Sequence, residues 1–98
     1  MNLTEAQLKE IETLSGIFLE AEEIAILMDL DESDFLELIR KKKGEVWKAY
    51  FRGKTESKKD IHTNIVKMAK HGSPQAEEMA KQMINQQEIA ERRAKANR

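Results

Sequence analysis

Apolar residues recur at three- and four-residue spacing along most of the chain, which is the periodicity of helices that bury one face. The first such segment starts after Thr4, whose side chain is expected to cap the helix together with Gln7, three residues on. Its apolar stripe comprises Leu3, Leu8, Ile11 and Leu14. The pattern predicts a first helix over residues 4–15, followed by a connector in which Phe18 and Leu19 are expected to join the core.

Residues 21–40, AEEIAILMDLDESDFLELIR, fit two short helices joined by a tight turn. The apolar positions expected to pack between them are Ile24, Ala25, Met28, Leu30, Phe35, Leu38 and Ile39. The spacing resembles a helix-turn-helix, in which the second helix enters the major groove of DNA. Asp29 stands where such turns usually carry glycine, so it is expected to be left-handed. Asp31, Ser33 or Asp34 is expected to cap the second helix.

A second pair of helices is predicted after the hairpin. Gly44 is expected to end the preceding helix as its left-handed cap, and a long helix then starts near Glu45. Gly53 leaves a break possible, but the apolar stripe stays in phase across it and favours one continuous helix. Ser73 and Pro74 supply the cap and first position of a last helix, which is expected to run to about residue 92.

The order of these segments predicts an all-α fold. An N-terminal helix-turn-helix of three short helices is followed by a long helix and a C-terminal helix, which are expected to form an antiparallel hairpin. The expected domains are a helix-turn-helix domain over 1–43, a helical hairpin over 44–92 that mediates oligomerisation, and a basic tail over 93–98.

Composition narrows the classes of function. The chain has 98 residues, enough for a modest helical core, and no cysteine, which excludes disulfides and thiolate metal sites. No glycine-rich phosphate loop and no catalytic pairing of histidine with carboxylate is present, so we expect no enzymatic activity, no cofactor and no metal. No apolar run reaches membrane-spanning length and the N-terminus is too acidic for a signal peptide, so we expect a cytoplasmic protein without membrane contact.

Charge is distributed very unevenly along the chain. Residues 1–39 contain eleven acidic residues and one basic residue, whereas residues 40–98 contain sixteen basic and seven acidic residues. Such asymmetry indicates either that the basic half meets a polyanion, or that the acidic face of one subunit meets the basic face of the next.

Basic residues concentrate just after the predicted hairpin, where a phosphate backbone is the natural ligand. The candidate nucleic-acid-binding residues are Arg40, Lys41, Lys42, Lys43, Lys48, Arg52, Lys54 and Lys58. Trp47, Tyr50 and Phe51 lie among them at helical spacing and are expected to lock the long helix to the hairpin, with base stacking as the alternative. A second alternative is that the cations neutralise the acidic half, within a chain or between chains.

The second hairpin helix is unusually acidic for a DNA-reading helix. Its groove-facing positions are Asp31, Glu32, Ser33, Leu36 and Glu37. Carboxylates repel phosphates and read little beyond the amino group of cytosine. A helical hairpin without groove contact of its own therefore stays open beside the DNA-reading interpretation.

The order of parts resembles the small terminase subunits of tailed phages and related phage-derived helix-turn-helix proteins. The resemblance covers roughly residues 20–85: the helix-turn-helix, an aromatic element followed by Arg52, Gly53 and Lys54, and a long helix ending in Ala69 and the segment GSPQA, 72–76. It implies a non-catalytic subunit that binds double-stranded DNA, forms a homo-oligomeric ring and recruits a large ATPase-nuclease subunit. It also implies that the hairpin recognises DNA, whereas helices 45–70 and 74–92 form the oligomerisation core.

Three functions follow as hypotheses. The first is a non-catalytic DNA-binding component of phage genome packaging that acts as a homo-oligomer. The second is a helix-turn-helix transcription regulator, which requires a dimer and a defined operator. The third is a structural or adaptor protein of a phage particle that does not touch DNA.

Overall fold

The computed structural model describes residues 1–97, and the part described is helical almost throughout, without strands. The helices are α1 (Glu5–Gly16), α2 (Ala21–Leu27), α3 (Glu32–Lys41), α4 (Gly44–Lys70) and α5 (Pro74–Ala96). The predicted all-α class is confirmed. The chain divides into two compact units within α4, one spanning Met1–Lys59 and one beginning at Asp60. The domain boundary predicted from the sequence, between residues 43 and 44, stays a prediction.

Helix α1 begins with the capping box expected from the sequence. The Gln7 amide donates a hydrogen bond to the Thr4 hydroxyl at 3.1 Å, and the Thr4 amide donates to the Gln7 side-chain oxygen at 2.9 Å. After α1 the prediction fails at one position, because Phe18 has a left-handed φ of 67° and its side chain is 55% exposed. The left-handed turn carries Phe18 away from the core, whereas Leu19 packs against it as expected.

Helices α2 and α3 form the predicted hairpin. Asp29 is left-handed at φ 53°, as expected where such turns usually carry glycine. Of the three candidate caps, Asp31 is the one used: its carboxylate accepts a hydrogen bond from the Asp34 amide at 2.9 Å. The Leu30 amide donates to the Ala25 carbonyl at 2.9 Å and closes the turn.

The core of the first unit lies where α1, α2, α3 and the start of α4 meet. Its buried residues are Ile11, Ile24, Ala25, Phe35, Val46 and Tyr50. The rings of Phe35 and Tyr50 meet edge to face, with centroids 6.5 Å apart, a geometry that adds about 0.5–1.5 kcal/mol beyond the burial of area. Met28, Leu30, Leu38 and Ile39 are partly buried against this cluster, as the hairpin pattern predicts.

Helix α4 is continuous through Gly53, which confirms the single long helix. The cap before it differs from the expectation. Lys42, at φ 55°, is the left-handed residue that ends α3, whereas Gly44, at φ 88°, is the first residue of α4. Only Lys42 and Lys43 separate the two helices, and the chain changes direction with positive φ at Lys42 and at Gly44.

The second unit contains the end of α4, a turn and α5. The turn has the hydrogen bonds of a glycine-terminated helix: Gly72 donates to the Ala69 carbonyl at 3.0 Å and Ser73 to that of Met68 at 3.2 Å. Ser73 caps α5 by accepting a bond from the Ala76 amide at 3.3 Å, and Pro74 opens the helix, as predicted. Helix α5 continues to Ala96, past the expected end near residue 92.

Candidate nucleic-acid interface

Four consecutive cationic residues occupy the corner between α3 and α4. Arg40 and Lys41 form the last turn of α3, where the negative end of the helix dipole favours positive charge. Lys42 and Lys43 follow in the two-residue connection, and all four side chains are exposed. The end of α3 and the short connection thus hold these four cations close together at one corner of the protein.

Arg40 differs from its three neighbours because it already has a partner. Its guanidinium donates two hydrogen bonds to the Glu37 carboxylate, at 2.6 and 3.1 Å. The hydrogen bond from Arg40 lowers the pKa of Glu37, and the attraction of Lys41 adds to this in the same direction. The pair stays ionised at neutral pH, so a phosphate must compete with Glu37 for Arg40.

Lys41, Lys42 and Lys43 have no such partner. The ion pairs found within residues 1–97 join Lys9 to Glu12, Arg40 to Glu37 and Arg92 to Glu88, and none of them involves these three lysines. Their ammonium groups therefore point to solvent with their charge uncompensated by a carboxylate at contact distance. In proteins that bind nucleic acids, lysines exposed in this way neutralise phosphates and release their counterions.

Of the candidate cations of α4, Lys48, Arg52 and Lys58 are exposed, whereas Lys54 is half-buried beside the ring of Tyr50. Trp47, Phe51, Lys54 and Lys58 follow one row at spacings of four, three and four residues, and Lys48 and Arg52 lie in the adjacent row. Val46 and Tyr50 occupy the buried side. Lys54 thus borders the buried side of α4, and the other three candidates are open to solvent.

The aromatic residues among these cations do not all join the core. Tyr50 is buried, as expected, and the Lys54 ammonium lies 4.6 Å from the centre of its ring. Trp47 is half-buried and Phe51 is 53% exposed, so the expectation that Phe51 is core is wrong. The Phe51 ring stacks instead on the ring of Trp47, one turn earlier in α4, with centroids 5.4 Å apart.

The start of α3 presents negative charge. Asp31, Glu32 and Asp34 are all exposed around its N-terminus, and Ser33 is exposed between them. A carboxylate at these positions meets phosphates with like charge. Of the two candidate DNA-binding surfaces, the start of α3 and the corner after α3, only the corner thus has the positive charge that suits a phosphate backbone.

The exposure of two apolar residues on α2 was not predicted from the sequence. Ile26 and Leu27 are 69% and 63% exposed. The signal was present in the sequence, since both fall outside the stripe formed by Ile24, Ala25 and Met28. They lie one turn after Glu22 and Glu23, which gives α2 an outer side that is both apolar and acidic.

Within residues 1–97, no group of three histidine, cysteine or carboxylate side chains is arranged to hold a metal ion. Over the same residues, no helix combines the length and the apolar character that crossing a membrane requires.

Comparison with known proteins adds no family to this picture: no family model, curated protein or solved structure matches the chain.

Proposed function

We propose that this protein is a non-catalytic DNA-binding component of phage genome packaging, similar to a small terminase subunit, and that it acts as a homo-oligomer. The observation that carries the proposal is the exposed corner of Lys41, Lys42 and Lys43, which no carboxylate of the described chain pairs with. The order of parts in the sequence supports the packaging role.

Binding is electrostatic and largely independent of base sequence. The lysines after α3 meet phosphates, whereas the acidic start of α3 stays away from the groove because Asp31, Glu32 and Asp34 are exposed there. Lys54 and Lys58 on α4 extend the same positive field along the DNA backbone. Affinity is expected to fall steeply with salt.

Self-association is supported by the second unit. Large apolar side chains there are exposed on both helices, and only Ala76 is buried among the described residues of this unit. The exposed ones are Ile61, Val66, Met68, Met79, Ile84 and Ile89. In a single copy this apolar surface is exposed to water. Further copies of the chain are the proposed partner that covers it.

The experiment that tests DNA binding replaces Lys41, Lys42 and Lys43 by glutamate together. Retention of double-stranded DNA at low salt is expected to be lost, and the slope of log affinity against log salt to fall by roughly three, one for each phosphate contact. Binding is measured by fluorescence anisotropy over a range of salt concentrations.

The matched control changes Lys67, Lys70 and Lys81 to glutamate, which alters net charge equally at exposed positions of the second unit. This control is expected to keep most of the affinity and the slope. Equal binding by the unaltered chain and the Lys41–Lys43 variant contradicts the proposal.

A helix-turn-helix regulator is the second candidate, favoured by the left-handed Asp29 turn and the hairpin that it closes. Selection from random double-stranded DNA separates the two functions. Enrichment of one site favours the regulator, and recovery of unrelated sequences favours packaging.

A further inference from the structure

The outer side of α2 combines exposed apolar and acidic side chains at one-turn spacing. Glu22 is followed by Ile26 and Glu23 by Leu27, each four residues later. One oxygen of Glu23 accepts a hydrogen bond from the Glu20 amide at 2.9 Å, which completes the capping box of α2. No ion pair found in residues 1–97 involves Glu22 or Glu23. We call these four residues, Glu22, Glu23, Ile26 and Leu27, the α2 patch.

The outer flank of α4 has the opposite character. The stacked rings of Trp47 and Phe51 line a shallow groove with Lys48 and Arg52, and Thr55 and Glu56 complete its wall. Tryptophan, phenylalanine and arginine are the residue types enriched in protein interfaces. We call Trp47, Lys48, Phe51 and Arg52 the α4 patch.

The two patches complement each other in both properties, since each pairs two apolar side chains with two charges, acidic on α2 and basic on α4. One copy cannot join them itself. Helices α2 and α4 turn their buried residues, such as Ala25 and Tyr50, toward the same core, so their outer sides face away from each other.

We propose that the α2 patch of one copy binds the α4 patch of a second copy. Ile26 and Leu27 pack on the rings of Trp47 and Phe51, and Glu22 and Glu23 face Lys48 and Arg52. This contact deepens the proposed homo-oligomer and rests on it. It also divides the cations, because Lys48 and Arg52 serve the neighbouring subunit while Lys41, Lys42 and Lys43 serve DNA.

A contact between two different patches leaves one of each free, so copies add head to tail until a ring closes or a filament grows. The contact is small, because α2 has 7 residues and is therefore only about 10 Å long. Stable interfaces bury about 800 Å² on each partner, so a single contact is weak, and DNA that gathers several copies strengthens the assembly.

A charge exchange tests the contact in the full-length chain without DNA. One variant carries Glu22→Lys and Glu23→Lys, and the other carries Lys48→Glu and Arg52→Glu. Each variant alone sets like charges against each other, which is expected to weaken association at least about tenfold. An equal mixture is expected to assemble again, because the exchanged patches attract each other and the unchanged patches still fit.

Mass is measured by sedimentation over a concentration series, and helical content is checked by circular dichroism. Recovery of mass in the mixture supports the contact. Variants that keep the mass of the unaltered chain, or a mixture that stays as small as its components, overturn it. If the α4 variant loses mass and the α2 variant does not, the proposal is also overturned, since the α4 patch then binds a surface other than the α2 patch.

Disulfide trapping captures the contact even where it is weak, because the chain contains no cysteine. Ile26→Cys and Phe51→Cys chains are mixed and oxidised. Disulfide-linked dimers of one Ile26→Cys chain and one Phe51→Cys chain are expected to outnumber dimers of two identical chains. In the control, Thr13→Cys, exposed on α1, replaces Phe51→Cys. Mixed dimers that are no more frequent than with this control contradict the proposal.

These outcomes are independent of DNA binding. If the charge exchange leaves mass unchanged while the Lys41–Lys43 variant loses DNA, the contact fails and the proposed function stands. If that variant keeps DNA, the proposed function fails, and the contact is judged on mass alone.

Discussion

Helix α1 packs closely on α4 at Gly53, and it can do so only because glycine has no β-carbon. Gly53 is buried within α4, and a β-carbon there would collide with the Glu12 carbonyl and the Ser15 hydroxyl of α1. The close approach also lets the Ser57 hydroxyl donate a 2.6 Å hydrogen bond to the Gly16 carbonyl. Glycine inside a helix costs about 1 kcal/mol relative to alanine. Here that cost accompanies a helix contact that no larger residue permits.

The Gly53→Ala variant is therefore expected to be less stable, although helix propensity alone predicts the opposite. Overpacking of this kind typically lowers the free energy of unfolding by about 1–3 kcal/mol, which urea denaturation followed by circular dichroism measures. Glu56→Ala, at an exposed position of the same helix, is the control and should change it by less than about 0.5 kcal/mol. A stabilised Gly53→Ala protein would show that α1 and α4 lie further apart.

At the scale of the element, α2 depends on its neighbours more than on its own sequence. It has 7 residues, whereas isolated helices shorter than about 12 residues are marginal in water. Its position is set by the burial of Ile24 and Ala25 and by the turn into α3. That turn combines the left-handed Asp29 with the Asp31 cap.

Asp31→Ala removes the cap of α3 and is expected to lower the free energy of unfolding by about 1 kcal/mol, within a range of about 0.5–2. Asp31→Asn keeps a side-chain oxygen for the Asp34 amide and should lose little. Ser33→Ala, at an exposed position beside the cap, is the matched control. Thermal unfolding of the three variants checks this. If Ser33→Ala lowers the free energy of unfolding as much as Asp31→Ala does, Asp31 is not the residue that caps α3.

At the scale of the whole molecule, buried apolar side chains are distributed as unevenly as charge. All six residues of the core cluster belong to the unit that ends at Lys59. In the described part of the other unit, Ala76 is the buried residue, and long apolar side chains such as Ile84 are exposed. The first unit thus has a core of its own, whereas the second has little apolar burial to oppose local unfolding.

Hydrogen exchange should follow this difference. In dilute protein, amides of α5 are expected to exchange much faster than those of α3, since few buried contacts protect them. Raising the protein concentration should slow exchange in α5 selectively if copies cover its apolar residues. Mass spectrometry of peptic fragments measures both effects. Equal protection of α3 and α5 in dilute protein would contradict the expected weakness of the second unit.

The sequence by itself determined the helices and most of their caps. Apolar spacing and a few residues with strong local preferences, such as Thr4, Asp31 and Ser73, act within one or two turns, so their effects are visible in the order of residues. The left-handed Asp29 was predictable for the same reason. So was the clustering of cations after residue 39, because a run of adjacent lysines in a short connection stays together in any fold.

Only the tertiary structure decided which apolar residues face water. Phe18 and Phe51 were expected in the core from the sequence, but each is more than half exposed. Exposure depends on which side of each helix its neighbours cover, and that is a property of contacts between distant segments. The need for glycine at position 53 was decided in the same way, by the approach of α1.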